Sequence, residues 1–142
     1  MKRIKLFLVS CMLVVLCAFG FVGCKKGGKA EATLLSATDT QVVIRVDSVE
    51  GDAVLLTAME NLQSKGELTF SISGGMVTSI NGVENGVGNN PCWMVYTSDS
   101  EMADTSWVTV EYDGQTLGLA VVGAEDLTVV TGAIYVWSYQ SF

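Results

Sequence analysis

The chain has 142 residues, with 15 acidic against 8 basic side chains and no histidine, which gives a formal net charge of −7. An acidic chain is a poor partner for nucleic acid and for anionic lipid head groups. Without histidine, the serine, cysteine and zinc mechanisms each lack a member, so the sequence predicts that the protein is not an enzyme and has no cofactor and no metal site.

The first 23 residues have the pattern of a bacterial signal peptide. Three cations within the first five residues precede an uncharged apolar run, Leu6–Val22, that is shorter than a membrane span requires. Gly23 and Cys24 follow and resemble the lipobox, with Phe21 in place of the usual aliphatic residue. A plain secretory signal with an incidental cysteine is the alternative. We expect Cys24 to be lipidated and to anchor the protein at the extracytoplasmic face of the bacterial cell membrane.

Residues 24–40 begin with the lipidated cysteine and continue as Lys-Lys-Gly-Gly-Lys, a composition that does not fold by itself. The sequence therefore predicts a flexible tether over this stretch, followed by one domain over residues 41–142. Cys92 is the only cysteine of that domain, so no disulfide forms within it. Its apolar neighbours indicate a buried thiol.

Hydrophobic periodicity beyond the tether predicts one strand, then one helix, then strands only. Gln41–Asp47 alternates, and Ala53–Leu62 has apolar residues at helical spacing after Asp52, a candidate N-cap. The later predicted strands are Leu68–Ser73, Met76–Ile80, Cys92–Thr97, Trp107–Tyr112, Gln115–Val122, Leu127–Thr131 and Ala133–Tyr139. One helix among about seven strands predicts an α+β fold with the helix packed on a mostly antiparallel sheet.

The stretch from Gly74 to Tyr96 contains the best candidates for a binding site. Residues 81–91 form a loop rich in glycine and asparagine that includes the only proline of the chain. Such residues tolerate conformations that leave backbone N–H and C=O groups free for a ligand. The following strand supplies Trp93, Met94 and Tyr96. A plain turn beside core aromatics is the alternative interpretation.

The order of these motifs resembles the transcobalamin-like C-terminal domain family, which occurs in bacterial surface lipoproteins. The matching segments are the helix at Ala53–Leu62, Thr78–Gly82, Trp93–Tyr96 and the last strand, Gly132–Tyr139. The chain departs from the family pattern in three places, at Thr97-Ser98-Asp99, at Ala133 and in the added hairpin over residues 107–122.

The resemblance implies a β-grasp-like fold and a binding face for one side of a corrinoid ring. Together with the loop, it implies ligand-binding positions at Thr78, Ser79, Asn81, Gly82, Asn85, Trp93, Met94 and Tyr96. We expect a lipoprotein that binds a small neutral solute, such as a cobalamin-like corrinoid, for delivery to a transporter.

The alternative function is a non-enzymatic surface module that binds a protein or a glycan. Exposure of the aromatic side chains would favour solute binding, because a flat ligand needs an accessible platform. A fully buried aromatic set beside an exposed edge strand would favour the interaction module.

Overall fold

The computed structural model describes residues 28–142, so the predicted signal peptide and the lipidation site Cys24 lie outside the described residues. The strands are β1 (Lys29–Ala37), β2 (Gln41–Glu50), β3 (Phe70–Ser73), β4 (Met76–Ile80), β5 (Val83–Glu84), β6 (Cys92–Thr97), β7 (Ala103–Tyr112), β8 (Gln115–Ala120) and β9 (Ile134–Gln140). One α-helix, α1 (Leu55–Ser64), follows β2. Within residues 28–142, no helix is long and apolar enough to cross a membrane.

The strands form two antiparallel sheets. The large sheet has the order β1-β2-β9-β6-β8-β7, and the small sheet has the order β3-β4-β5. Strands account for 53% of the described residues and helices for 11%. The prediction of an α+β, β-grasp-like fold is therefore wrong, and the protein is mostly antiparallel β. The share of helix was overestimated because the edge strand β1 was predicted as tether and the edge strand β7 was predicted only over Trp107–Tyr112.

β1 consists of residues that the sequence predicted to be tether. It pairs antiparallel with β2 and buries Ala30 and Ala32 in the main core. Two side chains hold β1 in place, one from α1 and one from the residue that follows it. Asn61 Oδ1 accepts a hydrogen bond from the Ala32 N–H (3.1 Å), and Lys65 Nζ donates to the Ala32 carbonyl (3.1 Å). Alanine contributes little to a hydrophobic pattern, so tertiary contacts rather than local sequence stabilise this strand.

The helix covers one face of the large sheet. Its buried residues are Leu55, Ala58, Met59 and Leu62, which pack in one cluster with side chains of β2, β6 and β9. The predicted cap at Asp52 is wrong, because the N-cap residue is Val54, whose backbone N–H donates to Thr57 Oγ1 at 3.4 Å. Gly66 follows the helix with φ of 74°, a left-handed conformation that suits glycine, so the predicted end is confirmed.

The segment before β9 was predicted as a strand over Leu127–Thr131, which is also wrong. It forms only one isolated bridge, between Thr128 and Val54. Its backbone instead pairs with the start of the helix, where Leu127 accepts from the Leu55 N–H (2.8 Å). The segment thereby closes the core beside α1.

Candidate functional site

An apolar groove opens where β6 and β8 separate. β6 pairs with β9 along its whole length but with β8 only through Tyr96 and Thr97. Cys92–Val95 therefore has no partner strand on the side away from β9. Beyond β8 the chain turns toward Met102, whose carbonyl accepts from the Val121 N–H (3.0 Å). The space between these segments measures about 430 Å³, a volume typical of small-ligand sites.

The groove has apolar walls and no charged lining. Three segments form most of it: the start of β6, residues 119–124, and the turn between β3 and β4. Asn89 and Trp137 complete the lining. Met76, Val121 and Val122 stand at the rim and are 48%, 57% and 37% exposed. Two tryptophans, Trp93 and Trp137, lie deeper and are nearly fully buried. Because no Asp, Glu, Lys or Arg of the described chain lines the groove, it suits a neutral ligand.

Trp93 was predicted to be a ligand platform but is held in the core. Its Nε1–H donates to the Val83 carbonyl at 2.8 Å, and its ring lies 5.2 Å from the Tyr139 ring, centre to centre. Its backbone N–H donates to Asn85 Oδ1 at 3.0 Å, while Asn85 Nδ2 donates to the Val77 carbonyl at 3.2 Å. Asn85 thus joins the small sheet to the open edge of β6.

Three predicted site residues surround a second, polar hollow, which shares Asn89 with the groove. Thr78, Ser79 and Asn85 line about 330 Å³ of space beside the small sheet, together with Ser71, Glu84 and Asn89. Asn81 and Gly82 lie away from it in the turn between β4 and β5. Both have positive φ, 49° and 81°, as in a type I′ hairpin. Asn81 Oδ1 accepts from the Thr69 N–H at 3.0 Å, which fixes the turn.

The last two predicted residues, Met94 and Tyr96, lie on the opposite face of β6 from Trp93. Tyr96 is 1% exposed in a small second cluster, and its hydroxyl donates to Gln140 Oε1 at 2.7 Å. Burial raises the pKa of the Tyr96 hydroxyl above its usual value. Met94 lines the groove as well as packing against this cluster. The structure therefore places Trp93 and Met94 at the groove but not Tyr96.

Sequence reasoning missed the other side of the groove. Val121 and Val122 were predicted to extend β8, but β8 ends at Ala120 and both valines are exposed at the rim. Trp137 was predicted as part of the last strand, with no indication that it would line a groove. Cys92 also lines the groove, and burial raises the pKa of its thiol. A raised pKa leaves little thiolate at neutral pH, so this cysteine is a packing residue.

A second surface feature lies on the edge strand β7. Asp104 pairs with Leu119 and Thr109 pairs with Gly118, so the four residues between them, Thr105–Val108, bulge out of the ladder. The Ser106 N–H donates to Asp104 Oδ1 at 2.8 Å and shapes the start of the bulge. Trp107 is 78% exposed and Val108 is 56% exposed.

Comparison with family models, with curated proteins and with solved structures found no match for this chain. Across the described residues, His, Cys, Asp and Glu do not gather in any group of three or more that could hold a metal ion. The groove and the β7 bulge are the two surface features of the described residues that indicate a function.

Proposed function

We propose that the protein is a non-enzymatic, lipid-anchored binding protein of the extracytoplasmic face, and that its groove beside Cys92–Val95 binds a small neutral solute for uptake. The observation that carries this proposal is the groove itself, with about 430 Å³ of space and apolar walls. Burial of apolar ligand surface provides the free energy of binding, and the uncharged lining disfavours ions.

The size of the groove limits the ligand. A good site covers most of its ligand, and about 430 Å³ accommodates only part of a corrin macrocycle with its side chains. A solute smaller than a corrinoid is therefore favoured. A corrinoid would need a second protein to cover its other face, and its binding to this chain alone would be weak.

Fluorescence titration tests the proposal. N-phenyl-1-naphthylamine, a neutral apolar dye, should bind with saturable enhancement of its fluorescence, and the same titration should be run with cobinamide and cobalamin followed by tryptophan emission. Val121→Lys places a charge at the groove rim and should weaken dye binding at least about tenfold. Val108→Lys adds the same charge on the β7 bulge and should leave it unchanged. Equal binding by wild type and both variants would refute the groove as the site.

A second candidate function, binding of a protein or glycan, is favoured by two observations. Trp93, Tyr96 and Trp137 are buried while the edge strand β7 is exposed, which is the arrangement expected for an interaction module, and β7 carries the bulge. Trp107 on this bulge is 78% exposed. Large exposed aromatic side chains of this kind mark contact sites. Probing oligosaccharide and peptide arrays with the wild type and with Trp107→Ser tests it. Binding that is lost in Trp107→Ser but kept in Val121→Lys would assign the interaction to the bulge.

The lipid anchor is tested separately at Cys24. Replacing Cys24 with alanine should release the protein from the membrane fraction and prevent lipid modification, because two acyl chains supply the attachment. A Cys24→Ala protein that remains membrane-bound and is processed like the wild type would contradict the anchor.

A further inference from the structure

One buried polar group beside the groove has no partner. Trp137 is 3% exposed and lines the groove, and its Nε1–H is the only buried side-chain polar group within residues 28–142 that lacks a hydrogen bond. The other groove tryptophan, Trp93, donates its indole N–H to the Val83 carbonyl at 2.8 Å. The two groove tryptophans thus differ in whether the indole N–H donates a hydrogen bond.

An unpaired buried N–H destabilises the free protein, because the group has lost its water without gaining an acceptor. Backbone pairing with Val42 of β2 and with Val95 of β6 fixes the position of Trp137 in the sheet, so only rotation of its side chain can move the indole N–H. The donor therefore cannot recover an acceptor by moving away from the core. The groove is the neighbouring space from which an acceptor can arrive.

We infer that the ligand of the groove is a neutral, mostly apolar molecule with an amide or other carbonyl oxygen that accepts a hydrogen bond from Trp137 Nε1–H. This inference rests on the proposed solute-binding function and specifies its ligand class. The apolar walls contact the hydrocarbon part of the ligand, and the carbonyl oxygen pairs with the indole. Because Nε1 is covered in the free protein, the indole ring turns toward the groove when the ligand binds.

A matched pair of small probes separates the two parts of this recognition. N-ethylbenzamide has an aromatic ring and one amide, whereas ethylbenzene has the ring and the alkyl chain without the amide. Both are added at millimolar concentration to the purified 15N-labelled protein, and the indole N–H signals are followed by NMR. The protein has three tryptophans, so three indole signals are expected.

The expected result is a downfield, saturable shift of the Trp137 indole proton with N-ethylbenzamide and no such shift with ethylbenzene. The Trp107 signal, from the exposed ring on the β7 bulge, serves as the internal control and stays unchanged. Amide binding without a downfield shift at Trp137 would overturn the inference while leaving solute binding intact. Failure of both probes to bind, with no response to N-phenyl-1-naphthylamine, would overturn the solute-binding proposal together with it.

Trp137→Phe removes the donor and keeps an aromatic ring. It should weaken N-ethylbenzamide binding about tenfold, the loss of one hydrogen bond, and change ethylbenzene binding by no more than about twofold. Trp107→Phe is the matched control and should bind both probes like the wild type. Equal losses for the two probes in Trp137→Phe would mean that the ring only fills space, and the wild-type NMR result remains decisive if that variant does not fold.

Discussion

Asn85 and Trp93 are joined by a hydrogen bond of 3.0 Å from the Trp93 backbone N–H to Asn85 Oδ1. The same asparagine donates to the Val77 carbonyl, so one side chain connects the small sheet to β6. Asn85→Ala should lower the free energy of unfolding by about 1–3 kcal/mol, because it leaves buried backbone groups without partners.

Chemical denaturation measures this effect. Val87→Ala is the control, since Val87 is fully exposed in the same loop and should change stability by less than about 0.5 kcal/mol. If the two variants unfold at the same denaturant concentration, Asn85 does not connect the sheets.

Met59 should be indispensable to the core between helix and sheet. It is 0% exposed, and Met59→Asp would place a carboxylate among apolar side chains at a cost of several kcal/mol. That cost is comparable with the whole stability of a small domain, about 5–15 kcal/mol. We expect loss of the cooperative thermal transition. Glu60→Gln alters the exposed neighbour and should melt like the wild type; a normal transition for Met59→Asp would exclude the observed packing of α1.

Gly118 should resist even the smallest side chain. A Cβ there would lie 2.9 Å from the Asp104 carbonyl oxygen and 3.0 Å from the Ala103 Cβ, so the base of the β7 bulge would have to move. Gly118→Ala should destabilise the protein by about 1–3 kcal/mol. Gly123→Ala is the control, because its nearest contact would be an ordinary 3.5 Å. Thermal unfolding of both variants measures the effect. Equal melting temperatures for Gly118→Ala and Gly123→Ala would show that the bulge tolerates the extra atom.

Acid should weaken the attachment of β1 to β2 through Asp47. The Thr33 hydroxyl donates to Asp47 Oδ2 across the two strands, and Arg45 Nε donates to Oδ1 at 2.9 Å. These bonds, the Thr33 bond first, hold the pKa of Asp47 below its usual value. A carboxyl whose folded pKa is lowered contributes stability above its unfolded pKa and loses it as the pH falls through the folded value.

The free energy of unfolding should therefore fall less steeply in Asp47→Asn than in the wild type between about pH 5 and pH 2. Asp39→Asn removes a carboxylate from the turn between β1 and β2 and serves as the control for the loss of one negative charge. Parallel curves for Asp47→Asn and the wild type would show that Asp47 does not stabilise this strand pair.

Local signals in the sequence were sufficient for several elements. β6 runs over Cys92–Thr97 as predicted, because Cys92 is followed by five consecutive large or β-branched side chains, which fit a buried strand. The hairpin of β7 and β8 was recognised from Asp113-Gly114, both of which have positive φ, 48° and 76°. In both cases the residues that determine the structure are adjacent in the chain.

The elements and contacts that were missed depend on residues distant in sequence. β1 follows from Asn61 and Lys65, which hold Ala32 from about thirty positions away. The groove depends on where β8 stops pairing with β6, and alternating apolar residues do not reveal where a strand pairing ends. Asn85 was predicted to contact a ligand because it lies in a loop. The local sequence does not distinguish an asparagine whose amide is free from one whose amide bonds to a distant backbone group.

The four-residue bulge of β7 has a further consequence for how two copies of this protein meet at their sheet edges. A straight ten-residue edge strand would offer a continuous row of N–H and C=O groups to a neighbour, whereas the bulge interrupts that row. Deleting Thr105–Val108 would bring Asp104 next to Thr109, whose partners Leu119 and Gly118 are already adjacent. The shortened strand would then be regular and would offer its edge without interruption for strand pairing with a neighbouring molecule.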